Sequence, residues 1–328
     1  MGRLPSEKKR KIVTRRKTQT DPDFGKRPED RSPEEHIRCG VINLDKPSGP
    51  TSHEVVYWIK GILNVKKAGQ GGTLDPKVTG VLPITLEKST KIARAFLLSG
   101  KEYVCVMRLH DTVKRNRIKQ TLEEFTDEIY QRPPVKSAVR RQLRFRTIYY
   151  MDLLEIDGRD VLFKVGCEAG TYIRKLCYDM GEIIGCGAQM SGLRRTKSGS
   201  LTEETIVSLH DVKDAYTFYK ENDTDKYLRK AIMPVERALD FLPKVFLSDS
   251  AVDAICHGAD LAIPGISMLD SDINSGDMVA TFSLKEELIG IGKAIMDTKA
   301  MLIEDSGIAI NTKRVIMKPG TYPRMWKS

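Results

Sequence analysis

An α+β fold is predicted: a mixed, mostly antiparallel sheet with helices, followed by a small β domain. Three observations carry this. Strand-like runs at 147–156 and 161–168 are separated by Asp157-Gly158, a hairpin signal. Helix-period stretches are interspersed with such strands, and no internal repeat appears. A proline-bounded stretch, 234–243, is followed by several short strand-like runs.

Residues 1–37 are charged, contain prolines and show little apolar periodicity, and read as an irregular extension. Val41-Ile42-Asn43-Leu44 is a short strand ending at Lys46-Pro47-Ser48-Gly49-Pro50. Thr51 or Ser52 can N-cap a helix whose apolar face is Val55, Val56, Ile59 and Leu63. A glycine- and proline-framed loop follows. Residues 85–98 suggest a helix stopped by Gly100, 101–110 a strand, and 122–130 a short helix. Beyond the hairpin, 172–184 is helical, with Ile173, Leu176, Cys177, Met180 and Ile184 on one face. The stretch at 234–243 ends the first unit. After it come Lys244-Val245-Phe246-Leu247, a short segment at 251–256, a turn-rich run at 257–266, and strands at 278–282, 288–294 and 315–318. The expected division is 1–37, 38–240 and 243–320.

The chain has 328 residues, with 54 Lys and Arg against 44 Asp and Glu, a net charge of +10. That balance favours an anionic partner, nucleic acid first. The charge is uneven. Among the first twenty residues Arg3, Lys8, Lys9, Arg10, Lys11, Arg15, Arg16 and Lys17 face only Glu7, so the body is close to neutral and needs local patches to bind RNA. The basic arm is either solvated or ordered on RNA or on the C-terminal domain. Six cysteines without Cys-x-x-Cys spacing and five scattered histidines argue against a metal site. No apolar run approaches a membrane span, and no signal peptide is visible, so the expectation is a soluble intracellular protein.

The most informative stretch runs from Ala68 to Pro83, Ala-Gly-Gln-Gly-Gly-Thr-Leu-Asp-Pro-Lys-Val-Thr-Gly-Val-Leu-Pro. It presents one carboxylate, Asp75, between Gly71-Gly72 and Pro76. Glycines let a ligand approach the backbone, and the proline pushes the residue before it out of the helical region. A lone aspartate on a stiff loop in a basic protein suits covalent or acid–base chemistry on a polyanion. The alternative is an Asx-turn to its own backbone.

Gly71-Gly72-Thr73-Leu74-Asp75-Pro76 resembles the catalytic motif of the TruB-type pseudouridine synthases. Gly40 to Glu54, Gly100-Lys101-Glu102-Tyr103-Val104, Gln131 to Val139, Glu168 to Arg174 and Leu193 to Gly199 resemble their other motifs, in family order. The nearest branch is the dyskerin type and its archaeal counterparts, the catalytic subunits of H/ACA guide-RNA particles. The last residues lack the lysine-rich tail of eukaryotic dyskerin, which favours an archaeal-type or trimmed chain. The region from 243 to 320 resembles a PUA domain, a β pseudo-barrel that binds RNA.

The resemblance implies isomerisation of uridine to pseudouridine. This reaction breaks a C–N bond and makes a C–C bond to the same base, and it needs no cofactor and no metal. Asp75 is the implied catalytic residue. Whether it adds to the sugar, adds to the base or removes a proton stays open. Arg174 is the implied counter-charge; a nearby cation favours the ionised carboxylate. Tyr103 is the implied contact of a flipped-out base, or else a core tyrosine. Leu193 is an apolar pocket wall, or else a core leucine. Gln70 stands where the family usually has histidine, so no acid–base role is expected there.

For RNA contact the nominated residues are Lys46, structural or phosphate-binding, and Arg140, Arg141 and Arg144 in a run from Arg132 to Arg146 that also holds Lys136 and no acid. That run matches a loop that closes on substrate in the family. In the last domain they are His257, Gly258 and Ala259. Implied partners are an H/ACA guide RNA, a substrate rRNA or tRNA, and small protein subunits including a kink-turn-binding protein, with no membrane. The implied place is the cytoplasm of an archaeal-type cell, or the nucleolus of a eukaryote. A stand-alone tRNA enzyme and a non-catalytic RNA-binding scaffold are the competing readings.

Overall fold

The computed structural model describes residues 2–133 and 142–325. Strand β1 (Ile12–Thr14) belongs to a sheet formed otherwise by the last third of the chain. A ten-stranded sheet holds β2 (Gly40–Lys46), β3 (Ala68–Gln70), β4 (Thr79–Leu86), β5 (Lys101–Leu109), β6 (Asp127–Gln131), β7 (Arg144–Asp157), β8 (Asp160–Cys167), β9 (Ala188–Ser198), β10 (Leu201–Thr202) and β11 (Met233–Pro234). Its order is β11-β2-β4-β9-β5-β8-β7-β6, with β3 paired to β4 and β10 to β9. Only the β4–β9 pairing is parallel, so the expected mostly antiparallel sheet is present. The second sheet curls as a half-barrel of β12 (Lys244–Leu247), β13 (Leu261–Ala262), β14 (Ile266–Asp270), β15 (Met278–Phe282), β16 (Leu288–Ala294) and β17 (Ile308–Val315), with β1 on its edge.

Helices α1 (Pro33–Arg38), α2 (Ser52–Leu63), α3 (Ala93–Leu98), α4 (Arg115–Glu124) and α5 (Ile173–Ile184) precede two more at Leu209–Asn222 and Lys226–Ala231. Thr51 N-caps α2 with a reciprocal Glu54 contact, which fixes where that helix starts. Val55, Ile59 and Leu63 then bury against Ile42, Leu44, Leu82 and Ile84 of β2 and β4. On the far half of the sheet, α5 buries Ile173, Leu176, Cys177 and Met180 against Cys105, Phe163 and Val165. These two packings hold the β3–β4 loop on one side and the start of α5 on the other.

Several expectations need correction. Residues 85–98 are not one helix. β4 runs to Leu86, because Val81, Leu82, Ile84, Thr85 and Leu86 are all buried as a strand. Glu87, at φ +41°, then breaks the chain into a 3₁₀ turn (Glu87–Ile92) before α3. The helix expected at 122–130 starts earlier, at Arg115, and gives way to β6 after Asp127 at φ +106°. Its polar first turns hid it; only Ile118, Thr121 and Leu122 are buried. The last strand is Ile308–Val315 rather than 315–318.

The N-terminal arm has little regular structure but does not hang free: it lies on the second sheet, one of the alternatives above. β1 pairs with β14, with Val13 opposite Leu269, and Leu4 is buried. Arg15 donates to the carbonyls of Met301 and Glu304, both at 2.9 Å, and Lys8 pairs with Asp272. Much of the arm's charge is therefore committed to the second sheet. The two sheets also share one apolar cluster. Val81, Phe96, Leu239 and Phe241 pack with Phe246, Phe282, Leu288 and Ile316. Nearby, Arg31 donates two bonds to Glu236, at 2.7 and 2.9 Å, and Glu236 accepts from the Leu288 amide.

Candidate active site

The loop from Gly71 to Val78 is fastened on both sides of Asp75. Before it, Gln70 Nε2 donates to Thr73 Oγ1 at 2.7 Å, and the Gly72 amide donates to Gln70 Oε1 at 2.9 Å. Gly72 has φ +136°, a conformation that favours glycine. Arg195, on β9, donates to the carbonyls of Gly72 at 2.9 Å and Val81 at 2.7 Å. The buried Ser52 hydroxyl both accepts from the Leu74 amide and donates to the Leu74 carbonyl. After Asp75, Lys46 Nζ donates to the carbonyls of Pro47, Pro76 and Val78 at 2.9–3.0 Å. Leu74 and Val78 bury beneath, and the carboxylate between them is left outside.

The Asx-turn alternative does not hold, because the Asp75 carboxylate accepts from Arg174 Nη2. Arg174 lies in the first turn of α5. That turn is held by Gln131, 2 % exposed, whose Oε1 accepts from the Tyr172 amide and whose Nε2 donates to the Tyr172 carbonyl. The ion pair is open to solvent, with side chains 55 % and 62 % exposed. A pair this exposed contributes about 1 kcal/mol or less to stability.

Asp75, Tyr103, Arg174 and Leu193 line one cleft of about 570 Å³. The four residues nominated from the sequence are thus brought together. Tyr103 is partly buried on β5, opposite Arg195 of β9 and Val165 of β8. Burial pushes its phenol above the ordinary range, against the pull of Arg195, so it stands as a neutral hydrogen-bonding group. Leu193 contributes an apolar wall while packing into the core with Tyr103.

Sequence reasoning missed two residues of the cleft. Lys101, 5 % exposed, donates to the carbonyls of Phe96 and Ser99 at 2.6 Å and of Leu97 at 3.0 Å, closing the C-terminal end of α3. Burial first, then Arg195, pushes its ammonium down to about 7. Arg195 is 1 % exposed. Both lie inside motifs quoted above, but nothing in a linear reading marks them as buried. The signal available is alternation: Tyr103 and Lys101 are two apart on β5 and share a face.

The nominated RNA contacts fare unevenly. Lys46 is wholly buried with all three donors on backbone carbonyls, so it does not meet a phosphate; it fastens the loop. Arg140, Arg141 and Lys136 lie outside the described residues. Arg144 begins β7, opposite Gln131, and is partly buried. His257, Gly258 and Ala259 are exposed at the turn after the helix Asp249–Cys256. A side chain on Gly258, at φ +93°, would meet only open space. The Ala259 carbonyl accepts from Thr312, which ties the turn to β17.

A carboxylate paired with a guanidinium stands at the mouth of a cleft, beside a tyrosine and an apolar wall. Family models agree along the chain. They match a DKCLD (NUC011) domain at 3–56, the TruB family pseudouridylate synthase N-terminal domain at 60–115 and 111–173, the tRNA pseudouridylate synthase B C-terminal domain at 174–240, and a PUA domain at 243–316. A relative named "Probable tRNA pseudouridine synthase B" from Methanopyrus kandleri is 56 % identical over 324 residues, 99 % of this chain and 96 % of that one. A relative of the same name from Pyrococcus furiosus is 54 % identical over 326 residues, with the same coverage. The solved structure of a Cbf5-Nop10-Gar1 complex matches with TM-score 0.94 and 54 % identity over 98 % of both chains. That of an H/ACA RNP bound to a substrate RNA containing 2'-deoxyuridine matches with TM-score 0.92 and 52 % identity, over 98 % of this chain and 99 % of that one. The chain belongs to the TruB family of pseudouridylate synthases, in its Cbf5-like branch. Among the described residues no helix is long and apolar enough to cross a membrane.

Proposed function

We propose that this chain isomerises guide-selected uridines in rRNA or tRNA as the catalytic subunit of an H/ACA-type particle, with Asp75 as the reacting carboxylate. The observation that carries this reading is the solvent-open Asp75–Arg174 pair at the mouth of the cleft holding Tyr103 and Leu193. A flipped uridine entering there displaces water from the pair, so the carboxylate is desolvated only when substrate is present. Tyr103 offers the base a ring face and a neutral hydroxyl. Proteins resembling Nop10 and Gar1 are the small subunits this reading calls for, since a chain of 54 % identity is found with them. A kink-turn-binding protein on the guide RNA and a cytoplasmic place in an archaeal-type cell belong to the same reading.

The division at about residue 240 supplies the second RNA contact, with His257 to Ala259 as part of the guide's anchor. A stand-alone tRNA enzyme is the second reading, favoured by the names of the curated relatives. The test is pseudouridine formation in a tRNA and in a guide-paired target, with and without guide RNA and the small subunits. Guide-dependent product, lost in Asp75→Asn while RNA affinity stays within a few-fold, supports the proposal. Turnover of tRNA alone, unchanged by guide, supports the second reading. Asp75→Asn with more than a few per cent of wild-type turnover removes Asp75 from the role. His257→Glu should weaken guide binding several-fold, with thermal unfolding measured beside it because His257 also contacts the buried Asp253. Deleting the second sheet is the poorer experiment, because the shared apolar cluster would be exposed.

A further inference from the structure

Arg195 and Lys101 are two buried cations lining one wall of the cleft, and among the described residues neither has a carboxylate partner. Glu102, next in sequence, is turned to Tyr150, Thr196 and Lys197. Glu168, on the same cleft, pairs with Arg146. Arg195 commits Nε to Val81 and Nη2 to Gly72, and its guanidinium also hydrogen-bonds to the Tyr103 side chain. A side chain begun on Gly72 would stand 3.4 Å from Arg195 Nη1 and 3.9 Å from Lys101 Cε, so the missing Cβ of Gly72 brings the cleft up to these two nearly buried cations. A buried cation without a partner is costly. Backbone carbonyls offset part of that cost, as they do at Lys46, and an arriving anion would offset more. Burial and Arg195 together push the Lys101 ammonium down to about 7, as expected for two like charges in a dry site.

We propose that Arg195, seated on its neighbour Lys101, stabilises negative charge on the carbonyl oxygens of the target uracil during isomerisation. If a carboxylate adds to C6 of the base, the displaced electron pair rests on O4. If the C1′–N1 bond breaks first, its electron pair goes to N1 and spreads onto O2 and O4. In both orders the C1′–N1 bond is broken, C1′ bonds to C5, the carboxylate is released from C6 or C1′ wherever it had added, the C5 proton leaves and N1 ends protonated, so the product is an isomer and nothing is consumed. A fixed cation within hydrogen-bond reach of those oxygens lowers the barrier in either case. Arg195 is a catalytic residue in this sense, and Lys101 a positioning residue that also raises the local potential.

This inference rests on the Asp75 cleft being the uridine site, and the experiment separates the two. Target RNAs carry uridine, 2-thiouridine or 4-thiouridine at the modified position; sulfur is the poorer acceptor. Single-turnover rates are measured for wild type, Arg195→Met, Arg195→Lys and Asp75→Asn, with folding checked by thermal unfolding. Wild type should be slowed tenfold or more by at least one thio-substitution. Arg195→Met should lose at least a hundredfold on uridine, with RNA affinity within a few-fold, and should no longer distinguish that thio-base from uridine. Arg195→Lys should recover part of both the rate and the discrimination. Wild type that processes all three bases equally overturns the inference even if the variants fail to fold. So does an Arg195→Met enzyme that keeps the full thio-effect. An active Asp75→Asn would instead overturn the site reading.

Discussion

Arg174→Ala separates the two energies of the Asp75–Arg174 pair. In the free protein both side chains are more than half exposed, so losing the pair should cost about 1 kcal/mol or less. For a chain of this size that is a melting shift of roughly 2 °C or less. The substrate complex is different. With uridine seated, the carboxylate is buried, and a buried charge stripped of its partner costs roughly 3–5 kcal/mol. If that cost falls on the transition state, single-turnover rates drop about 200- to 5,000-fold. Arg174→Lys should recover part of this, because Lys keeps the charge and loses the planar fork. The assay is single-turnover pseudouridine formation on a saturating target, beside thermal unfolding of the free protein. An Arg174→Ala enzyme within threefold of wild type refutes the reasoning. So does one that loses many degrees of melting temperature, which would mean the pair is structural.

Other expectations follow from the buried polar groups around the site. Gln70→Ala removes two loop hydrogen bonds of about 1 kcal/mol each and should lower the chemical rate roughly tenfold with RNA affinity unchanged; an unaltered rate would mean that Asp75 does not need this fastening. Lys101 holds its proton less tightly in the folded chain than in the unfolded one, where it titrates near 10.4. The unfolded state therefore binds more protons from about pH 7 to 10, and stability should rise with pH across that window and be flat below it. Denaturant unfolding at pH 7 and 9 should give wild type about 2 kcal/mol of gain that Lys101→Met lacks; parallel profiles would contradict the burial argument. Arg31→Ala leaves Glu236 buried without its partner and should destabilise by roughly 3–5 kcal/mol. Guide-directed activity should be lost only as the protein unfolds, and a stable, fully active variant would show that this joint between the sheets is dispensable.

The sequence by itself picked out four residues that the fold brings into one cleft. Asp75, Tyr103, Arg174 and Leu193 sit in ordered motifs, and the loop around Asp75 is legible because Gly72 and Pro76 restrict the backbone locally. The hairpin at Asp157-Gly158, helix α2 with its Thr51 cap, and helix α5 are legible for the same reason: their signals lie within a few residues. What the sequence left open or missed depended on partners far along the chain. β9, with Gly192, Arg194, Arg195 and Lys197 along it, becomes a strand because β5 and β4 flank it. β4 replaces part of an expected helix because both its faces are covered. The basic arm turns to the second sheet because Asp272 and the carbonyls of Met301 and Glu304 wait there. Lys46 reads as either structural or phosphate-binding until folding sets it, wholly buried, beneath the carbonyls of Pro76 and Val78. A charge's role follows from what surrounds it, and only the tertiary structure decides whether that is water, RNA or the protein's own backbone.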